Sequence, residues 1–364
     1  MDKNAKIYIA GHKGLVGSAI LKNLQSKGYH NFVLRSSSEL DLRNQEATMQ
    51  FFATEKPEYV FLAAAKVGGI VANNVYRADF IVENLQIQQN IIQASFKNGV
   101  TKLLFLGSSC IYPKNAPQPM QEDYLLTSPL EYTNEPYAIS KIAGIKICES
   151  YNIQYGTNYI SVMPTNLFGY NDNFNLEKSH VLPAMIRKMH LGNALAKDDW
   201  SSLRADLDKN PIEGVDGKAT DDKILEKLNK YGIQKAEGKT SITLWGTGTP
   251  RREFLFSDDL AEACVFIMNK IEFKDLISPE MKNSGEIRNT HINIGSGVDL
   301  SIKELADIIK ETVNFQGEII WDKTKPDGTF QKLMNVSKLE KLGWKYQTDL
   351  KVGITKVYEH YKNS

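Results

Sequence analysis

The chain has 364 residues, with 44 Lys and Arg against 43 Asp and Glu and a formal charge of +1. That near balance, without a block of like charge, argues against nucleic acid or a membrane surface as the main partner, and the length allows a sizeable core and more than one domain. Three widely spaced cysteines, Cys110, Cys148 and Cys264, show no metal-ligand pairing, and no signal-like apolar segment or membrane-length apolar run is present, so a cytoplasmic, soluble, metal-free protein is expected.

Taken in order, Lys6–Ala10 reads as a short apolar strand that ends in Gly11-His-Lys-Gly14-Leu-Val-Gly17, and residues 18–27 follow with helical apolar spacing. Strand, glycine turn and helix are what a dinucleotide site needs. Glycines permit a tight turn and close backbone approach, and the helix N-terminus faces a diphosphate. The second strand, Phe32–Arg35, ends in an arginine where an NAD enzyme often carries an acid for the ribose hydroxyls. Arg35 together with Lys13 suits a 2′-phosphate, which favours NADPH over NADH; the plainer alternative is a solvated strand end.

A helix is expected over Gln45–Glu55, then a strand over Tyr59–Ala65 running into a loop of small residues, Lys66–Asn74, that would let a ribose pass close to the backbone. Asp79–Asn98 reads as a long helix. Lys102–Leu106 reads as a buried parallel strand, which puts Ser108, Ser109 and Cys110 at a carboxyl end, where α/β sheets gather their chemistry. Tyr137 and Lys141 share one face of a probable helix, and an ammonium beside a phenol draws its pKa down from near 10. Cys110 is either a base in that cleft or a small buried hydrophobe.

Further on, Tyr159–Met163 is a strand leading to Pro164-Thr-Asn-Leu167, and Ser179–Pro183 starts a helix. The stretch from about 192 to 239 is highly charged. It contains one plausible helix, capped by Thr220 and running to Tyr231 with Gly232 as terminator, and it reads as a surface insertion, most simply a neutral excursion. Strand character returns at Ser241–Trp245 and His291–Ile294, and Phe256–Leu260 opens a helix with a cap.

The G-x-x-G-x-x-G turn with Tyr137-x-x-x-Lys141 resembles the short-chain dehydrogenase/reductase superfamily in its extended, nucleotide-sugar-modifying branch. Within it, AAAKVGGIVANN, GSSCIYPK, EPYAISKIAGIKICESYN and SVMPTNLFG, in this order, resemble the 3,5-epimerase/4-reductases that convert GDP-4-keto-6-deoxy-D-mannose to GDP-L-fucose, over nearly the whole chain. The resemblance implies an α/β fold, a Rossmann-type doubly wound parallel sheet with a smaller C-terminal α/β substrate domain. It places the cofactor domain at 1–170, with the chain returning to it around 256–270 and 290–297, and the substrate domain mainly at 171–364 with the charged insertion at about 192–239. Only the insertion departs from the pattern, since the bacterial relatives have a shorter connection there.

The resemblance also implies roles. Ser108, Cys110, Tyr137, Lys141 and His180 would be catalytic: Cys110 and His180 as base and acid at C3 and C5, Tyr137 as proton donor in reduction at C4, Lys141 as its modulator, and Ser108 on the C4 oxygen. NADPH would lie against Gly11, Lys13, Gly14, Leu15, Val16, Gly17, Arg35, Asp41, Leu42, Leu106, Gly107, Lys141, Pro164, Thr165, Asn166, Leu167 and His180. The GDP-sugar would meet Lys188, Trp245, Arg252, Asp327 and Lys332. By analogy of fold, the helices of residues 79–98 and Tyr137 would form a homodimer seam. The rival readings are an NAD-dependent nucleotide-sugar 4-epimerase or dehydratase and a non-catalytic module that senses NADP.

Overall fold

The computed structural model describes residues 1–363, the side chains at positions 70 and 71 excepted. The chain divides into two compact units. The first comprises Met1–Leu167, Glu253–Val298 and Leu333–Thr348; the second comprises Phe168–Arg252, Asp299–Lys332 and the chain from Asp349 onward.

The first unit is built on six parallel strands. β1 (Ile7–Ala10), β2 (Phe32–Val33), β3 (Tyr59–Leu62), β4 (Lys102–Leu106) and β5 (Tyr159–Pro164) are joined by a late strand, Ile292–Ile294, in the order β2-β1-β3-β4-β5-(292–294). β1, β4 and β5 are buried along their whole length, as strands covered on both faces must be. The order reverses beside β1, so a crevice opens at the carboxyl ends of β1 and β3. Helices α1 (Leu15–Ser26), α2 (Gln45–Glu55), α3 (Ile70–Val75), α4 (Arg77–Lys97) and α5 (Glu135–Tyr155) flank the sheet. This is the doubly wound α/β fold expected from the sequence.

Local chemistry explains several boundaries. Asn44 caps α2 by accepting from Ala47 N, and Gly156, at φ +65°, ends α5 in the left-handed conformation that favours glycine. Lys102 sits in an otherwise apolar strand because its buried ammonium donates to Ile267 O (3.0 Å), Met268 O (3.1 Å) and Ile271 O. It thereby satisfies the open carbonyls at the end of helix Ser257–Lys270. Two readings need correction. Residues 70–75 are a helix rather than loop, with Gly69 at the N-cap. Helix Ser257–Lys270 starts without a side-chain cap, its N-cap position being Phe256.

In the second unit, α6 (Val181–Ala196) lies on a three-stranded sheet in which β7 (Lys239–Trp245) is flanked by the parallel strand Glu318–Asp322 and the antiparallel β6 (Ile233–Ala236). Close approach is possible because position 192 is glycine: a Cβ there would stand 2.9 Å from the Phe315 ring and 3.0 Å from Ile242 Cδ1.

The segment from 192 to 239 is not a surface excursion. It forms two helices, α7 (Trp200–Lys209) and α8 (Asp221–Lys230), as well as β6. Leu203 and Leu207, and Ile224 and Leu228, are spaced four apart and fully buried, as are Ile212 and Ile233. Apart from the buried Asp206, the charged residues lie mainly on the outer faces of two amphipathic helices. Burial of each such side chain contributes about 1.5–3 kcal/mol, so the segment is part of this unit's core. Asp199 caps α7 by accepting from Ser202 N, whereas the Thr220 hydroxyl makes no cap bond at α8.

Candidate active site

At the carboxyl end of β1 the chain turns through Gly11 at φ +86°, where an added Cβ would lie 2.9 Å from Ala64 N of the neighbouring connection. At Gly17 it would lie 2.2 Å from Gly11 O, so any side chain there would push α1 off the turn. Gly14 differs, since its only near atom is Gly11 O at 3.5 Å. Close packing at two glycines and space at the third leave a shallow cradle above the N-terminus of α1. That N-terminus carries neither a side-chain cap nor an acidic residue in its first turn. Its unpaired N–H groups and positive dipole end suit a diphosphate. His12 Nδ1, in the same turn, is buried without a hydrogen-bond partner.

β2 stops at Val33, short of the expected end, so Arg35 lies two residues beyond it, held by Glu55 (2.7 Å) and donating to Leu34 O (2.9 Å). Asp41 takes both the Nε and Nη2 of Arg43 (2.9 Å each), and Arg43 in turn reaches Glu83 (3.1 Å). Leu42 is partly buried, its carbonyl accepting from Asn90 Nδ2 at 2.9 Å. Asn84 holds the Lys66 backbone from both sides, accepting from its N–H (2.9 Å) and donating to its carbonyl (3.0 Å).

At the end of β4, Gly107 passes so near Met163 that a Cβ would meet its sulfur at 2.3 Å. Ser108 caps the short turn Ser109–Ile111, its hydroxyl accepting from Cys110 N at 3.4 Å, and Cys110 is buried. Facing this turn is α5. Gly144 lets α5 settle onto the sheet, since a Cβ would stand 2.3 Å from the Phe105 ring and 2.9 Å from Gln88 Oε1. Lys141, one turn earlier on α5, is buried and donates to Leu106 O at 2.8 Å, with Nζ 5.7 Å from the Tyr137 ring centroid.

Cys110, Tyr137 and Lys141 therefore share one electrostatic environment. Burial lowers the Lys141 pKa to about 8, and a thiolate at Cys110 opposes that shift. Burial raises the Tyr137 phenol far above its usual value, with Cys110 raising it further. The four-residue spacing predicts that Lys141 draws the phenol down. Desolvation wins instead, and the result is a phenol kept protonated. Lys141, four residues from Tyr137, supplies a positive field near Cys110.

Following β5, Thr165 Oγ1 (3.3 Å) and Asn166 Nδ2 (2.9 Å) both donate to Glu253 O. Pro164 is the last residue of β5, and Leu167 packs partly buried against the core. Glu253 was not singled out from the sequence. Its fully buried carboxylate accepts from Gly297 N (2.7 Å) and Met334 N (2.9 Å), pinning three separated segments beside that turn. A lone acid amid Arg-Arg-Glu-Phe-Leu-Phe was the available signal. Tyr112 was also missed; its buried hydroxyl joins His291 Nε2 (3.0 Å) and Asn293 Oδ1 (2.5 Å) and anchors the exit of the Cys110 turn.

The remaining candidates belong to the second unit. His180 occupies the N-cap position of α6; it is solvent-accessible, yet enough chain surrounds it to lower its pKa by desolvation. Two turns along, Lys188 donates to Thr243 O (3.3 Å), and burial lowers it to about 8. Trp245 is 68% exposed, with Lys325 Nζ 5.5 Å from its ring centroid. Arg252 stands opposite Lys332 on parallel neighbouring strands, and Arg252 Nη2 lies 3.0 Å from where a Cβ at Gly328 would be. Asp327 accepts from Thr247 N (2.9 Å) and Thr247 Oγ1 (2.7 Å), so it shapes the 246–249 turn. Among the described residues no helix is long and apolar enough to cross a membrane.

Residues 7–208 and 213–295 match the model of the NAD dependent epimerase/dehydratase family. The chain belongs to that family. A curated relative, a putative GDP-L-fucose synthase 2 of Arabidopsis thaliana, is 50% identical over 99% of this chain and 93% of its own. Two solved structures, each 47% identical over 100% of this chain and 99% of theirs, are a GDP-6-OMe-4-keto-L-xylo-heptose reductase from C. jejuni (TM-score 0.91) and a GDP-mannoheptose C4 reductase from Campylobacter jejuni with NADP bound (TM-score 0.85). Within the family, the chain belongs with the GDP-L-fucose synthases.

Proposed function

We propose that this protein converts GDP-4-keto-6-deoxy-D-mannose to GDP-L-fucose, inverting C3 and C5 and then reducing C4 with NADPH. The observation that carries the reading is the grouping of a thiol, a phenol and a buried ammonium at the end of β4, in a chain 45–50% identical to GDP-L-fucose synthases. The C4 ketone acidifies the hydrogens on C3 and C5. Cys110, whose anionic form Lys141 stabilises, removes each proton to give an enolate, and His180 returns a proton on the opposite face. Burial lowers His180, so its charged fraction is small near neutrality, but each imidazolium is a stronger acid.

In the second stage Ser108 hydrogen-bonds the C4 oxygen and Tyr137, kept protonated by burial, gives its proton to the developing alkoxide. NADPH, when bound, supplies the hydride. The cradle of Gly11, Gly14 and Gly17 with the open end of α1 fits its diphosphate, and Leu106, Gly107, Lys141 and residues 164–167 would line its nicotinamide half. Arg35 and Lys13 would meet the 2′-phosphate; the Glu55 contact must then be shared. Lys188, Trp245, Arg252 and Lys332 would hold the GDP-sugar, with Asp327 supporting them, so that the first unit serves the cofactor and the second the substrate. A cytoplasmic homodimer is part of the reading, supported by the exposed apolar side chains Val82 on α4 and Ile139 and Ile153 on α5.

A second reading is favoured by the 47% identity to the two Campylobacter heptose reductases: reduction at C4 of a GDP-heptose without epimerisation. Incubation with GDP-4-keto-6-deoxy-D-mannose and NADPH, followed by NMR of the product, decides between them. GDP-L-fucose with one NADPH consumed per turnover is expected. A C4-reduced sugar of unchanged C3 and C5 configuration would favour the heptose reading.

A further inference from the structure

Arg187 is the largest fully buried side chain in the protein, and the proposed chemistry gives it no task. It projects from α6, one residue before Lys188. Its Nε and Nη2 both reach Asp206 Oδ1 of α7 (2.9 and 2.7 Å), its Nη2 also donates to Asn210 O, and its Nη1 donates to Phe174 O (3.2 Å). Asp206 accepts in addition from the Tyr361 hydroxyl, and the Tyr361 ring stacks on Phe174 with centroids 4.4 Å apart. One guanidinium fork thus ties α6 and the segment after it to the loop of residues 171–180, which ends at His180.

Phe174 is buried in that loop, whereas Asn173, Glu177, Lys178 and His180 are exposed. Asn173 and Asn175 form successive side-chain turns, accepting from Asn175 N and Glu177 N (3.0 and 2.9 Å), and the Asn175 carbonyl accepts from Ser179 N at 2.8 Å. Besides Phe174, Glu177 joins the loop to the segment after α7, its Oε1 accepting from Glu213 N at 2.8 Å. Glu213 is itself fixed by Lys227 (3.0 Å), Lys230 (2.5 Å) and Tyr231 (3.0 Å) of the α8 region. Both ties come from the charged segment that the sequence suggested was a neutral excursion.

We infer that residues 197–232 are a positioning device for His180, acting on the middle of the 171–180 loop through Arg187 with Asp206 at Phe174 and through Glu213 at Glu177. The inference rests on the reading of His180 as the proton-returning group. A side chain on a loose loop would spend most of its time out of line, and misplacement of about 1 Å can cost on the order of a hundredfold in rate. Arg187 and Glu177 touch neither substrate nor cofactor in this reading; they are positioning residues.

The test uses Arg187→Lys, which keeps the charge but loses the fork, and Glu177→Ala, which removes only an exposed contact and so leaves folding intact should the first variant fail to fold. Solvent-deuterium exchange into C3 and C5 of the keto-sugar should fall roughly tenfold or more in Arg187→Lys and severalfold in Glu177→Ala. Direct C4 reduction, read in a Cys110→Ser background, should change less than about twofold. The His180 imidazole resonance, assigned by its loss in His180→Asn, should titrate at higher pH in both variants, as a looser loop admits water and relieves the desolvation that lowers it. Unaltered exchange and an unaltered His180 titration would overturn the inference, and so would an equal fall of exchange and reduction. Unimpaired exchange in His180→Asn would instead overturn the role given to His180, which separates the two failures.

Discussion

The two groups of residues given the proposed chemistry are held in place by different means. Around Cys110, Tyr137 and Lys141 the geometry comes from main chain and missing side chains: Gly107 against Met163, Gly144 against Phe105, and a lysine that donates to a strand-end carbonyl. Around His180 it comes from long side chains that cross between segments, Arg187 to Asp206 and Glu177 to Glu213. The first arrangement fails when bulk is added, because Met163 and the Phe105 ring already fill the space that a new side chain would need. The second fails by degrees as charged contacts are removed. On the proposed reading, a glycine scaffold suits a hydride transfer that tolerates little displacement, whereas a tethered loop suits a group that must reach two carbons, one on either side of C4.

The contrast can be broken most severely in the first region. Tyr137→Phe should lower C4 reduction by about 10²–10⁴-fold while exchange at C3 and C5 continues, as NADPH absorbance and deuterium incorporation would report. Cys110→Ser should do the reverse, cutting exchange by a similar about 10²–10⁴-fold and leaving direct reduction. Next comes packing. Leu203→Ala, in α7, should cost about 2–5 kcal/mol in urea unfolding of the second unit, a loss that a neutral surface excursion would not suffer. Gly17→Ala should cost about 1–3 kcal/mol and weaken NADPH binding measured by fluorescence titration, since the new methyl meets Gly11 O.

The smallest effect is shared by both regions. Lys141 and Lys188 are each lowered to about 8 by burial. Each therefore binds fewer protons in the folded state than when unfolded between about pH 8 and its ordinary value near 10.4, so stability rises with pH across that window. Below pH 8 the cost of the buried charge is present in full; above it the cost is relieved. Lys141→Met and Lys188→Met should each flatten part of the rise, by about 1–3 kcal/mol in denaturant titrations at pH 7 and pH 10. A rise undiminished in one variant would place its lysine in a more hydrated setting than the fold implies.

What the sequence reveals follows the same division. The turn at Gly11–Gly17, the pairing of Tyr137 with Lys141 on one helix and the position of Cys110 at a strand end depend on local spacing, which a sequence carries directly. The direction of the Tyr137 shift was misread because proximity of an ammonium is visible in the spacing and desolvation is not. Residues 197–232 were misread because their charge count dominates their composition, while the buried pairs Leu203 with Leu207 and Ile224 with Leu228 occupy only two short stripes. Arg187 and Glu253 lay beyond reach for a further reason. Their partners, Asp206 and Asn210 for one and Gly297 and Met334 for the other, stand 19 to 81 positions away, and no local pattern predicts which segment will come to a buried charge.

The last strand of the six-stranded sheet, Ile292–Ile294, pairs with β5, which ends at Pro164. During synthesis β5 emerges while its neighbour is still more than a hundred residues from being made, an interval on the order of 10 s at ribosomal speeds. Throughout that interval the growing polypeptide carries a row of unpaired amides along an apolar ribbon, a template for association between nascent chains. Truncations that stop short of residue 292 should therefore precipitate in cells rather than accumulate as a stable half-molecule.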